Sequence, residues 1–302
     1  MPETNTAITT VRYKKHITGL SMVIPVIGLT VLSYLVFLIF PIGYAVIGSF
    51  FEWNPIHNVF NFVGFGNYLE AFQFSLTWKA LGNSIYFAVA VVVLRTAIGL
   101  IFAVLINNVL YFRSLFRTIY FIPVVTSMVA VSLIWSSLLY NPAFGIINQI
   151  LRSVGLPTSN WLISPVSAMP SIIIMTVWKE TGYAVVLYLA GLQVVPAQLI
   201  EAATIDGAGR FRIFRHITFP LLSNTTLLVV ITGTISYLQA FTQIFMMTNG
   251  GPGTATYTMV FYLYYEAFSK YRFGYASALS VILFVVIMIF TVFQMKLNRK
   301  VD

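Results

Sequence analysis

The chain has 302 residues, 59% hydrophobic, 16% aromatic and 8% charged, with a net charge of +9 and a mean hydropathy of +0.88. Soluble domains carry about 25% charged residues, so a water-soluble core is excluded, and apolar runs without period-two alternation exclude a membrane barrel. With no cysteine there is no disulfide, thiol nucleophile or thiolate metal site, and because His16, His57 and His216 lie far apart in sequence no metal site is expected.

The segment MPETNTAITTVRYKKH is polar and then basic. The apolar run after it outlasts a signal-peptide core and ends at no small-residue cleavage site. Residues 1–20 therefore read as a cytoplasmic tail before a retained first span, about Ser21 to Phe50. Pro25 and Pro41 predict that this span is tilted or kinked. Further apolar segments cover about Leu81 to Ile106, Thr118 to Tyr140, Ala168 to Leu192, Leu221 to Met247 and Tyr275 to Met295, and 296–302 form a second cytoplasmic tail. The fold class is an all-α membrane protein of six transmembrane helices with both termini cytoplasmic.

Basic residues set the orientation. With the N-terminus inside, Arg12, Lys14, Lys15, Arg113, Arg117, Arg210, Arg212, Arg215, Lys296, Arg299 and Lys300 are cytoplasmic. Lys79, Arg152, Lys270 and Arg272 fall outside, and Arg95 and Lys179 within spans. The positive charge is thus a matter of topology and lipid headgroups, and no nucleic-acid partner is expected. The outer segments FEWNPIHNVFNFVGFGNYLEAF and NPAFGIINQILRSVGLPTSNWLISP suit ordered interfacial loops. Asn-Gly-Gly-Pro-Gly at 249–253 demands backbone shapes that glycine adopts cheaply.

Catalytic signatures are missing. No glycine precedes a lysine, so the phosphate loop GxxxxGK[ST] is absent, as are HExxH and GxSxG. No catalytic residue is assigned, and the chain reads as one that moves a solute.

Charges inside spans cost roughly 2.5 to 3.5 kcal/mol each at a helix centre, which singles out Arg95, Lys179 and Glu180. Neighbours on a helix point about 100° apart, so Lys179 and Glu180 are not obviously paired. Glu180, with Trp178 and Tyr183 a turn away, either faces a polar cavity or meets Arg95 or Lys179 as a buried ion pair. Thr232, Ser236, Gln239 and Gln243 recur at helical spacing beside Tyr237, a stripe that suits interhelical hydrogen bonds and solute contact equally. Gly182 and Gly233 read as close helix packing.

Between the fourth and fifth spans lies EAATIDGAGRFRIFRHITFPLL. Pro196 suits a helix start, Ala202 and Ala203 lie within a run of strong helix formers, and Gly207 breaks it. Phe211, Phe214 and Ile217 then recur at spacing three, and Pro220 opens the fifth span. Two short helices with a turn at DGAG are predicted, either docking in a partner's groove or lying on lipid headgroups.

This stretch resembles the cytoplasmic loop motif of bacterial ABC importer permeases: EAA, three residues, Gly, nine residues, Ile, one residue, Leu-Pro. Glu201, Ala202, Ala203, Gly207, Ile217 and Pro220 match, Phe219 replaces the leucine, and Asn224 stands near a second proline of the family. FVGFGNYLEAF, WKETGYAVVLYLAGLQVVPAQLIEAATIDGA and MMTNGGPGTATYTMVFYLYYEAF are similar to the carbohydrate-uptake branch, and within it to the first permease of maltose and glycerol-phosphate systems.

The resemblance implies that 193–220 is a coupling loop in which Glu201, Ala202, Ala203, Asp206, Gly207, Ile217 and Pro220 transmit closure of an ATPase. It implies a solute path at Glu180, Tyr183, Gly233 and Tyr237, with Gln239, Lys179 and Trp178 beside them. Implied partners are a second permease, an ATP-binding dimer holding ATP and Mg, an extracytoplasmic solute-binding protein and a sugar, all at a bacterial or archaeal cytoplasmic membrane. The alternatives are import of glycerol 3-phosphate or a related polyol phosphate, and an ion-gradient transporter using Arg95, Lys179 and Glu180 as a relay.

Overall fold

The computed structural model of the chain describes residues 23–107 and 113–298, without the side chains at 113–117 and 298. The tail 1–20, with Arg12, Lys14 and Lys15, the first two residues of the expected first span, Ser21 and Met22, and Arg299 and Lys300 of the second tail lie outside the described residues. So do the side chains of Arg113 and Arg117.

Helix α1 (Val23–Gly48) is unbroken, and none of its most apolar stretch is buried. Before Pro41 the helix carries a π turn at Leu35–Ile39, in which the Phe40 N–H reaches back to Leu35 O. Placed just before the proline, that turn loosens the ladder where the ring would meet a carbonyl.

An antiparallel hairpin follows, β1 (Phe51–Asn54) against β2 (Val59–Phe62), with Phe51 opposite Phe62 and Asn54 opposite Val59. It departs from the all-α expectation. Aromatic cross-strand packing holds it, Phe51 and Phe60 stacking at 4.4 Å, and the Asn54 side chain closes the turn by accepting the Ile56 and His57 N–H groups at 3.1 Å. Helix α2 (Gly66–Gln73) leads into α3 (Ser75–Asn107), which is longer than the predicted second span.

The predicted third span is two helices. α4 (Arg113–Val125) and α5 (Met128–Leu139) meet at 102°, so the continuous run Thr118 to Tyr140 is corrected to a break at Thr126 and Ser127. Pro123 sits in the last turn of α4, and the Thr126 hydroxyl caps its carbonyl at 2.6 Å, satisfying one group that the missing next turn would have paired. The loop beyond is ordered by buried Asn148 of α6 (Ile146–Ser153). Its amide donates to Pro142 O and Ser159 O, while its oxygen accepts from Ser159 N–H and the Trp161 indole.

α7 (Ala168–Val194) is the axis of the bundle, two thirds buried over its most apolar stretch. Small residues let three neighbours approach it. A Cβ on Gly99 of α3 would stand 2.7 Å from Ala184 Cβ, one on Gly182 would stand 2.0 Å from Tyr120 O of α4, and one on Gly191 would stand 2.5 Å from Thr225 Oγ1.

The polar stretch after α7 folds as predicted locally, into α8 (Ala197–Ile205) and α9 (Arg210–Leu221). Gly207 turns between them at φ +76°, with Ala208 N–H to Ala203 O at 2.9 Å and Gly207 N–H to Thr204 O at 3.0 Å. This paired closure needs a left-handed residue just past the helix, which glycine supplies.

The predicted fifth span is also divided. α9 meets α10 (Ser223–Leu238) at 62°, so Pro220 lies in the helix before the span instead of opening it. α10 stops at Leu238, and α11 (Thr242–Thr248) follows a break at 239–241 whose Ala240 carbonyl is taken by Thr258 Oγ1 at 3.1 Å. The loop 249–258 is pinned to α3. The Asn83 amide reaches Ala255 O at 3.2 Å and Tyr257 O at 2.9 Å, and Ser84 Oγ accepts the Met259 N–H at 2.7 Å. Helices α12 (259–269) and α13 (Phe273–Asn298) complete the chain.

Four of these helices, α1, α3, α7 and α13, are long and apolar enough to cross a membrane, and the number rises to six if each bent pair is one span.

Candidate functional site

A polar cavity of about 440 Å³ opens where α3, α5, α7 and α10 converge on the α10–α11 break. Each wall comes from a different element. α7 presents Glu180 and Tyr183, α10 presents Thr232, Ser236 and Tyr237, the break and α11 supply Gln239, Phe241, Thr242 and Gln243, and Met128 opens α5.

The helical stripe read from Thr232 to Gln243 does reach one cavity, though by a different route. Thr232 and Ser236 stay on α10, whereas Gln239 and Gln243 arrive through the break, which turns the chain back toward the same space. Because no glycine or proline marks 239–241, the sequence carried no signal for that turn. Met128, Phe241 and Thr242, brought to the cavity by the two breaks, escaped the reading for that reason.

Arg95 is 4% exposed and stands at the back of this cavity. Its guanidinium donates to Tyr237 Oη at 2.7 Å and Val229 O at 3.3 Å, and lies 5.4 Å from the Tyr237 ring centre and 5.7 Å from that of Tyr183. One cation thus ties α3 to α7 and α10 through two aromatic faces. No acid pairs with Arg95 among the described residues.

Of the two alternatives for Glu180 the structure shows both, since it lines the cavity and is paired with Lys179. The ammonium lies 3.0 Å from Glu180 Oε1 and donates to Val124 O at 3.2 Å. Although the two Cα–Cβ bonds diverge, the four-methylene stem of lysine swings its head back to its neighbour.

Three residues assigned to the path stand off the cavity wall. Lys179 is buried behind Glu180. Trp178 is exposed on the outer side of α7, 5.4 Å from the Trp135 ring. Gly233 packs on α3, where a Cβ would meet Val92 at 3.2 Å and Arg95 Nη2 at 3.6 Å. Glu180, Tyr183, Tyr237 and Gln239 line it.

At the other candidate site, Glu201, Ala202, Asp206, Gly207 and Pro220 are exposed. Ala203 and Ile217 share a largely apolar cleft of about 260 Å³ between α8 and α9, with Arg212 and His216 at its edge. Neither Glu201 nor Asp206 is ion-paired among the described residues. No group of three or more His, Asp or Glu able to hold a metal ion occurs among them.

Membrane-length helices around a polar cavity define a multi-pass transport protein. The chain belongs to the family described as binding-protein-dependent transport system inner membrane component, whose model matches residues 95–302. It is 36% identical over 301 residues to the trehalose/maltose transport system permease protein MalF of Thermococcus litoralis, covering 98% of each chain. It is 34% identical over 286 residues to the diacetylchitobiose uptake system permease protein NgcF of Streptomyces coelicolor, covering 90% of this chain and 81% of that one. The fold is shared with a chain of the bacterial alginate ABC transporter solved with an alginate pentasaccharide-bound periplasmic protein, at a TM-score of 0.80 and 23% identity over 95% of this chain and 96% of that one. The protein is accordingly a multi-pass inner-membrane permease of a binding-protein-dependent ABC importer, and not an enzyme.

Proposed function

We propose that this permease imports a mono- or oligosaccharide, forming half of an alternating-access path, with the cavity at Glu180, Tyr183, Tyr237 and Gln239 as its contribution to solute binding. The observation that carries the reading is the cavity wall itself. A carboxylate, two tyrosines and two glutamines around about 440 Å³ offer the acceptors, donors and aromatic faces that a hydroxyl-rich ring needs. The sugars named for the relatives supply the class.

Taking α4–α5 as one bent crossing and α10–α11 as another gives six spans with both termini cytoplasmic. The α8–α9 unit then lies inside, and its Glu201, Ala202, Ala203, Asp206, Gly207, Ile217 and Pro220 couple to a separate ATP-binding dimer that holds ATP and Mg. A second homologous permease supplies the other half of the path, an extracytoplasmic binding protein delivers the sugar, and Arg210, Arg212 and Arg215 meet anionic lipid.

The test is reconstitution with these partners, measuring uptake of labelled trehalose and maltose together with binding-protein-stimulated ATP hydrolysis. Glu201→Ala and Gly207→Val are expected to lower both by at least about tenfold, a loss of more than about 1.4 kcal/mol of coupling. Normal values for both would sink the coupling role, and an unsubstituted complex that moves no sugar would sink the solute class.

A further inference from the structure

We propose that Lys179 is a positioning residue, which ties the Glu180 carboxylate on the cavity wall to the end of α4 so that the acid and the α4–α5 break move as one unit. The inference rests on the reading of the cavity as the solute path for its consequence, and on geometry alone for the link.

Lys179 is 4% exposed and its ammonium has two partners on different elements, Glu180 Oε1 at 3.0 Å and Val124 O at 3.2 Å. Val124 is the penultimate residue of α4. The last carbonyls of a helix have no intrahelical donor and carry the negative end of its dipole. A lysine ammonium meets both needs, and it is delivered from α7 rather than from the chain that follows. Pro123 O, one residue earlier, is capped locally by Thr126. The end of α4 is thus finished by one group inside the break and one group outside it.

The surroundings make this contact consequential. Gly182 lies one turn along α7, where even a methyl group would stand 2.8 Å from Val124 Cγ2 and 2.0 Å from Tyr120 O. The α4–α7 seam is therefore closed beside the ammonium. Three residues past Pro123 the chain turns by 102°, and Met128 at the start of α5 lines the same cavity as Glu180. A solute hydroxyl that draws the carboxylate forward draws the Lys179 ammonium with it and, through Val124 O, carries the hinge that bears Met128. The charged groups facing this carboxylate are Lys179 on its own helix and Arg95 at the back of the cavity, and only Lys179 is within ion-pair distance.

The chain contains no cysteine, so Val129→Cys on α5 and Ile174→Cys on α7, both at exposed positions, take spin labels without a background. The distance distribution between them is measured in the assembled complex in nanodiscs. A narrow distribution is expected for the parent and for Lys179→Arg, which keeps the charge and the reach. Glu180→Gln, which is isosteric, and Lys179→Met are both expected to at least double its width. A width equal to the parent's in Glu180→Gln would overturn the coupling even if Lys179→Met failed to assemble, and an unchanged width in Lys179→Met would remove the positioning role. Because no solute is added, these outcomes stand apart from failure of sugar uptake.

Discussion

At the scale of single residues, two glycines separate a conformational requirement from a spatial one. Gly207 holds φ +76° with nothing within 4 Å of an added Cβ, so Gly207→Ala carries only the left-handed penalty, about 1 kcal/mol. Gly182 has ordinary helical geometry, yet its added Cβ would strike the Tyr120 carbonyl at 2.0 Å, and backbone oxygen cannot swing aside as a side chain can. Overpacking of that kind costs about 1–3 kcal/mol or more. Thermal unfolding in detergent is expected to place Gly182→Ala well below Gly207→Ala, and the opposite order would show that the α4–α7 seam is looser than its geometry. Both residues were legible in part. Gly207 stood out because it breaks a helix-forming run at a fixed spacing from EAA, and Gly182 read as close packing. Which backbone it packs on depended on the α4–α5 break, which no local pattern marks.

At the scale of elements, one end of the bundle is clamped by charges that the sequence scatters. Glu266 of α12 is 0% exposed and accepts from Lys270 at 2.6 Å and Arg272 at 3.4 Å. Arg272 also pairs with Glu70 of α2 at 2.5 Å and lies 4.4 Å from the Tyr275 ring centre. Burial lowers the affinity of Arg272 for its proton, but the hydrogen bond and charge of Glu70 and the charge of Glu266 outweigh it, and the net shift is upward. Since Lys270, Arg272 and Glu70 are part exposed, each pair alone is worth little. The buried carboxylate is different, because it needs one cation at least. Lys270→Met and Arg272→Met are each expected to cost about 1 kcal/mol, and the double substitution about 3–5 kcal/mol. Simple additivity in thermal unfolding would mean that Glu266 finds other solvation. The four groups span 202 positions from Glu70 to Arg272, so only the fold brings them together. The hairpin was hidden for a related reason. Its strands have four residues each, too short for a period-two pattern to emerge from an aromatic-rich loop.

At the scale of the whole molecule, composition alone excluded a soluble protein, and four long apolar helices did form where the hydropathy runs lay. Of the remaining two runs, Thr118 to Tyr140 bends by 102° within its length, and Leu221 to Met247 is entered at a 62° bend and broken at 239–241, because hydropathy reports what a segment can be buried in and not whether its backbone stays straight. The orientation depends on the charge bias, and the chain offers a direct way to check it. Lys79, expected outside with Arg152, Lys270 and Arg272, is tied to the loop 249–258 through Thr254 Oγ1 at 2.7 Å. Two exposed positions report on opposite ends. Val166, in the loop before α7, is 84% exposed, and Ile205, at the end of α8, is 86% exposed. With no native cysteine to compete, Val166→Cys is expected to react with a membrane-impermeant maleimide in intact cells. Ile205→Cys is expected to react only once the membrane is permeabilised or inverted. The binding-protein face and the ATPase face are assigned by this pattern together. If the labels came out exchanged, the positive-inside bias would be overruled, and α8–α9 could not be the surface that meets a cytoplasmic ATPase.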